Sequence, residues 1–116
     1  MSFDLQFTQT AEQTYITLKT AAEQALEGRK KSKKQKTSKQ EGLFKQVYKT
    51  LDLLANSPRH PGLQTHEYDV IQNPHNPKEK VFEAYAQNRT PGAYRVFWCY
   101  GPAKNQITII AITSHP

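Results

Sequence analysis

Apolar and polar residues alternate strictly in Phe3-Asp4-Leu5-Gln6-Phe7, the period of a short strand. Ala11, Tyr15, Leu18, Ala22 and Ala25 then recur at steps of four and three, the single apolar stripe of a helix. Thr10 and Gln13 have the spacing of a capping box at its start, and Gly28 is the expected stop after Glu27. Residues 28–40 hold no large apolar side chain, so a flexible lysine-rich connection or frayed helix ends is expected there. A second stripe, Leu43, Val47, Leu51 and Leu54, predicts a helix from about Glu41 that Asn56-Ser57-Pro58 ends.

Past a Pro-rich turn at residues 58–63, a short strand is expected within residues 64–71, then an exposed loop at residues 73–78. Val81–Gln87, Ala93–Tyr100 and Gln106–Thr113 read as three strands joined by turns at residues 88–92 and 101–105. The order predicts one α+β domain over residues 1–116: an N-terminal strand and a helical hairpin packed on a C-terminal antiparallel sheet. A turn centred on Thr90 sets Tyr85 opposite Arg95 and Glu83 opposite Phe97; one centred on Ala103 sets Arg95 opposite Ala111. Glu83, Tyr85, Arg95, Phe97, Cys99, Ala111 and Thr113 then share an open face, with His115 at its rim. Phe82, Ala84, Tyr94, Val96, Trp98, Ile110 and Ile112 form the floor for the helices.

Charge changes this picture in one place. The net charge is +6, yet Arg29, Lys30, Lys31, Lys33, Lys34, Lys36 and Lys39 alone supply seven positive charges with no acid between them. Sixteen basic residues less those seven leave nine against ten acidic ones, so the rest is near neutral and the run suits a polyanion backbone such as RNA. A single cysteine, Cys99, excludes an intrachain disulfide framework, fits a reducing cytoplasm and reads as a buried small hydrophobe. No apolar run is long enough to span a membrane, and no signal peptide is expected. The four histidines lack ligand spacing, so neither a metal nor a cofactor is expected.

An arginine among aromatic strand residues needs a carboxylate or an anionic ligand. Arg95 is therefore a candidate phosphate contact, with a structural ion pair to Glu83 as the plainer alternative. Its fork of donors suits phosphate oxygens, and an imidazole at His115 or His60 can carry a proton near neutrality. That set fits RNA cleavage by the ribose 2′-hydroxyl without a metal. Arg59 is a further backbone contact, and Phe97 is the better candidate than Trp98 for stacking on a base. His66 reads as a surface or packing residue and His75 as a solvated loop residue.

The element order, the segment His60-Pro61-Gly62-Leu63, the strand Tyr94-Arg95-Val96-Phe97-Trp98 and the terminal Ile112-Thr113-Ser114-His115 resemble the RelE/ParE superfamily of type II toxins. The resemblance covers nearly the whole chain. It implies a ribosome-dependent mRNA endonuclease held inactive by an antitoxin, with the ribosome and mRNA as its other partners. Arg95 matches the strand arginine on the scissile phosphate. His115 matches the C-terminal histidine of the YoeB, YafQ and HigB branches, and His60 that of the YafQ-like His-Pro-Leu segment. Glu83 and Lys80 lie where other members place polar site residues. Two alternatives stay open: a ParE-type inhibitor of DNA gyrase without catalysis, and a non-toxic RNA-binding or interaction domain.

Overall fold

The computed structural model describes residues 2–33, 36–88 and 91–114. Strand β1 (Asp4–Phe7) leads into helix α1 (Gln9–Lys31). Thr8, rather than Thr10, caps α1: its hydroxyl oxygen accepts from the Ala11 N–H at 3.1 Å and donates to the Ile110 carbonyl at 2.6 Å. The helix runs past Gly28 to Lys31, beyond the stop read from the sequence. Arg29, Lys30 and Lys31 fill its last turn, where cations are favoured by the helix dipole. Ser32 closes the end through the Gly28 carbonyl, and Lys33 takes the left-handed conformation (φ 58°) expected of a glycine.

Helix α2 (Lys39–Asn56) begins two residues before the expected Glu41 because Ser38 and Glu41 form a reciprocal capping box. The Glu41 N–H donates to Ser38 Oγ at 3.2 Å, and the Ser38 N–H donates to Glu41 Oε2 at 2.9 Å. Arg29 reaches the same carboxylate with two donors, at 3.1 and 2.9 Å. Those bonds, the Arg29 pair first and the Ser38 N–H second, hold the Glu41 carboxyl down at about 2.

A short 3-10 turn (Pro61–Leu63) leads to β2 (His66–Glu67), then β3 (Phe82–Tyr85), β4 (Tyr94–Tyr100) and β5 (Gln106–Ser114). The five strands form one sheet in the order β1-β5-β4-β3-β2. β2 to β5 pair antiparallel, and β1 joins β5 in parallel. Both helices lie on one face, over a core of Val47, Leu51 and Leu54 against Val96, Trp98, Ile107, Ile109 and Ile112. No described helix is long and apolar enough to cross a membrane.

The β3–β4 register is the expected one: Tyr85 opposite Arg95 and Glu83 opposite Phe97. The β4–β5 register differs. Arg95 faces Thr113, not Ala111, and the pairing shifts between Phe97↔Ala111 and Trp98↔Ile109. Ile110 is the extra residue of a bulge at that shift. Ile107 and Ile109 therefore enter the core where Ile110 was expected.

The second face of the sheet is not the open surface that alternation suggests. The segment after β2 folds across it. The Tyr68 ring packs on Phe97 with centroids 4.7 Å apart, and His75 Nε2 lies 2.8 Å from Thr108 Oγ1. Asn73, itself buried, shapes this segment by accepting from the His75 and Asn76 N–H groups and donating to the Lys80 carbonyl. Gly101 (φ 102°), whose carbonyl accepts from Thr108, supplies the turn next to His75.

Candidate functional site

Strand pairing brings His66, Glu83, Tyr85 and Arg95 together. His66 stands opposite Glu83 across β2–β3, and Tyr85 opposite Arg95 across β3–β4. His66 Nε2 lies 2.6 Å from Glu83 Oε1. Its Nδ1 lies 3.1 Å from the Gln64 carbonyl, which can only accept, so Nδ1 carries a proton. Imidazole and carboxylate are thereby joined in a dyad through which a proton can pass.

Glu83 is 3% exposed and Arg95 7% exposed, yet Arg95 Nε stays 4.0 Å from Glu83 Oε2. Both atoms are buried and unpartnered. Arg95 is held instead by Nη1, which donates to the Gln87 carbonyl at 2.9 Å, and by the Tyr85 ring, 3.8 Å from its Cζ. Nη2 makes no hydrogen bond among the described residues. The result is a guanidinium fixed in direction but not neutralised by an ideal partner, beside a carboxylate–imidazole dyad. This arrangement can bind an oxyanion and exchange a proton with a neighbouring hydroxyl.

The other expected residues divide. His60 and Arg59 are exposed on the rim of a cleft of about 410 Å³ that His66 also lines. His60 Nδ1 accepts from the Gly62 N–H at 2.9 Å, so it both shapes the turn and keeps Nε2 free as a donor. Lys80 is engaged by Glu67 at 2.8 Å, and that hydrogen bond raises its pKa. Phe97 is 2% exposed beneath Tyr68, which removes it as a stacking surface for a base. Arg29 is bound to Glu41 at the far end of the helical hairpin, where Lys30, Lys31, Lys33, Lys36 and Lys39 stand exposed. Lys34 and His115 lie outside the described residues.

His66, read from the sequence as a surface or packing residue, is half-exposed and paired with Glu83. His75, read as a solvated loop residue, is exposed and bonded to Thr108. Cys99 is the buried small hydrophobe expected, its thiol pushed up to about 11 by burial. Among the described residues no group of three metal-ligating side chains converges.

The fold can be set beside known proteins. No family model and no curated protein matches the chain. Solved structures do. The YoeB dimer from Staphylococcus aureus superposes with a TM-score of 0.56 at 11% identity, covering 100% of both chains. The archaeal RelE–RelB complex from Pyrococcus horikoshii OT3 gives 0.57 at 10% identity, over 98% of this chain and 96% of that one. A YoeB/ParE toxin from Agrobacterium tumefaciens gives 0.55 at 7% identity, over 97% and 99%. The chain shares the fold of these YoeB and RelE structures, two helices packed on a five-stranded mixed sheet.

Proposed function

We propose that the protein is the toxin of a type II toxin–antitoxin pair and that it cleaves mRNA at a single phosphodiester without a metal. The observation that carries this reading is the His66–Glu83–Arg95 constellation on the strands of a toxin fold. The Glu83–His66 dyad accepts the ribose 2′-hydroxyl proton as the 2′-oxygen bonds to phosphorus. Arg95 stabilises the charge that builds on the phosphoryl oxygens. His115, the acid that the resemblance implies, donates the proton to the departing 5′-oxygen as the P–O bond breaks. The products are a cyclic 2′,3′-phosphate and a 5′-hydroxyl end. The RelE–RelB complex among the structural neighbours supports an antitoxin as partner; the ribosome as the place where mRNA is presented is part of this proposal.

Induced expression of the wild type beside Arg95→Ala, His66→Ala and His115→Ala tests this, with growth and mapped mRNA 5′ ends read together. Arrest with new 5′-hydroxyl ends, both lost in Arg95→Ala, is the expected result. The near-complete burial of Arg95 favours a second reading, a structural ion pair in a ParE-type inhibitor. That reading predicts arrest with DNA damage, no new mRNA ends and little effect of His66→Ala.

A further inference from the structure

Four buried side-chain polar atoms lack a hydrogen-bond partner among the described residues, and they fall into two pairs. Glu83 Oε2 and Arg95 Nε belong to the site above. The other two, Thr65 Oγ1 and Trp98 Nε1, belong to residues that line the cleft beside His60. Leaving a buried donor unmade costs about 1–3 kcal/mol, so two on one cleft call for an explanation.

The wall of that cleft is aromatic. Phe82 stacks on Trp98 with centroids 4.8 Å apart, and Tyr100 stands edge-on to both, at 5.9 and 5.0 Å. Trp98 is 1% exposed, whereas Tyr100, which also packs on Phe3 with centroids 6.0 Å apart, is 39% exposed and is the more accessible ring of this wall. Arg59 and the free Nε2 of His60 stand at the rim. The opening, about 410 Å³, is of the size of small-molecule sites.

From these features we propose that the cleft is a nucleobase subsite. A planar ring stacks on Tyr100, its polar edge meets the indole N–H of Trp98 and the hydroxyl of Thr65, and the adjoining phosphate meets Arg59 and His60. Apolar ligands would leave both polar atoms unmet, and a phosphate alone would leave the aromatic wall unused. His66, on the two-residue edge strand, lines this cleft while its ring bonds Glu83 on the other face of the sheet, so the subsite and the dyad meet only at that edge. The inference deepens the RNA-cleaving reading by naming where one base of the strand sits. It is tested with free nucleotides, so its failure is separate from failure of cleavage.

Trp98 is the single tryptophan of the chain, so one indole N–H cross-peak in a 1H–15N spectrum reports on the cleft. The full-length protein is titrated with each of the four ribonucleoside 5′-monophosphates and with ribose 5-phosphate. At least one nucleotide is expected to move the indole proton downfield, as a new acceptor is met, while ribose 5-phosphate leaves it in place. Tyr100→Ala, at a partly exposed position, weakens binding about 10-fold. Thr65→Val, which keeps the shape, changes the preference among bases. An unmoved indole peak at millimolar concentration of every nucleotide overturns the proposal. So does an equal shift with ribose 5-phosphate, or a Tyr100→Ala protein that binds as tightly as the wild type.

Discussion

Arg29–Glu41 and Arg95–Glu83 are the same two residue types in opposite circumstances. At the tip of the helical hairpin, Arg29 meets Glu41 with two donors at 3.1 and 2.9 Å, and the same carboxylate completes a helix cap. On the sheet, Arg95 and Glu83 are far more buried yet stand 4.0 Å apart with facing atoms unpartnered. The first pair closes a turn between two helices. The second leaves attraction unused where the surroundings of low dielectric make it strongest. Imperfectly paired charge at a buried position is what a site for an anion requires. The contrast separates an arginine that serves the fold from the one proposed to serve a ligand.

Removing one partner from the sheet pair has the largest effect. Glu83→Ala leaves the Arg95 charge buried and lowers the unfolding free energy by about 3 kcal/mol, measured by urea denaturation. The double replacement Glu83→Met/Arg95→Met is expected to recover that loss while destroying activity. A double variant as unstable as Glu83→Ala would break the comparison, because the pair would then be structural.

His66→Ala comes next. Its ring is 46% exposed, so melting is expected to stay near that of the wild type while mRNA cleavage falls about 100-fold. Unchanged cleavage would remove the dyad from the mechanism.

The helical pair has a signature in pH. The folded-state pKa of Glu41 is depressed from 4.5 to about 2, so its stabilisation is complete above about 4.5 and disappears as pH falls toward 2. Glu41→Gln is therefore less stable than the wild type at neutral pH, and thermal melts of the two converge in acid. Cleavage is expected to be unaffected. A gap that persists at pH 2 would mean that the carboxylate charge is not the cause.

The smallest effect concerns Cys99. With its thiol raised to about 11 inside the sheet, it resists alkylation at pH 8 in the folded protein and reacts only in denaturant. Ready labelling would mean that the segment covering this face is open, and with it the approach to Arg95.

What could be read from the chain follows the range of the forces involved. The Tyr85–Arg95 register was legible because the turn between β3 and β4 lies between two clear strand patterns. The face shared by Arg95, Ala111 and Thr113 was also legible, though for a mixed reason. Next to the turn the β4–β5 pairing is offset by one residue from that of a turn centred on Ala103 and the bulge at Ile110 adds another, so the alternation is restored beyond Phe97. The same bulge exchanges Ile110 for Ile109 in the core. The extra turn of α1 was hidden because Gly28 suggests an end, while the groups that extend it, Ser32 and Glu41, act from outside the stripe. His66 and Tyr68 were the least legible. Their roles come from Glu83 and Phe97, neither of them near in sequence, and no local pattern encodes such pairings.

The direct test is the rate of mRNA cleavage, on free mRNA and on programmed ribosomes, with Arg95→Ala and Arg29→Ala beside the wild type. Arg95→Ala is expected to lose at least about 100-fold, the scale of one lost charge-stabilising group, while Arg29→Ala cleaves at close to the wild-type rate. Equal rates for the two variants, or no cleavage by a folded wild type, would contradict the assignment of the sheet arginine to the site.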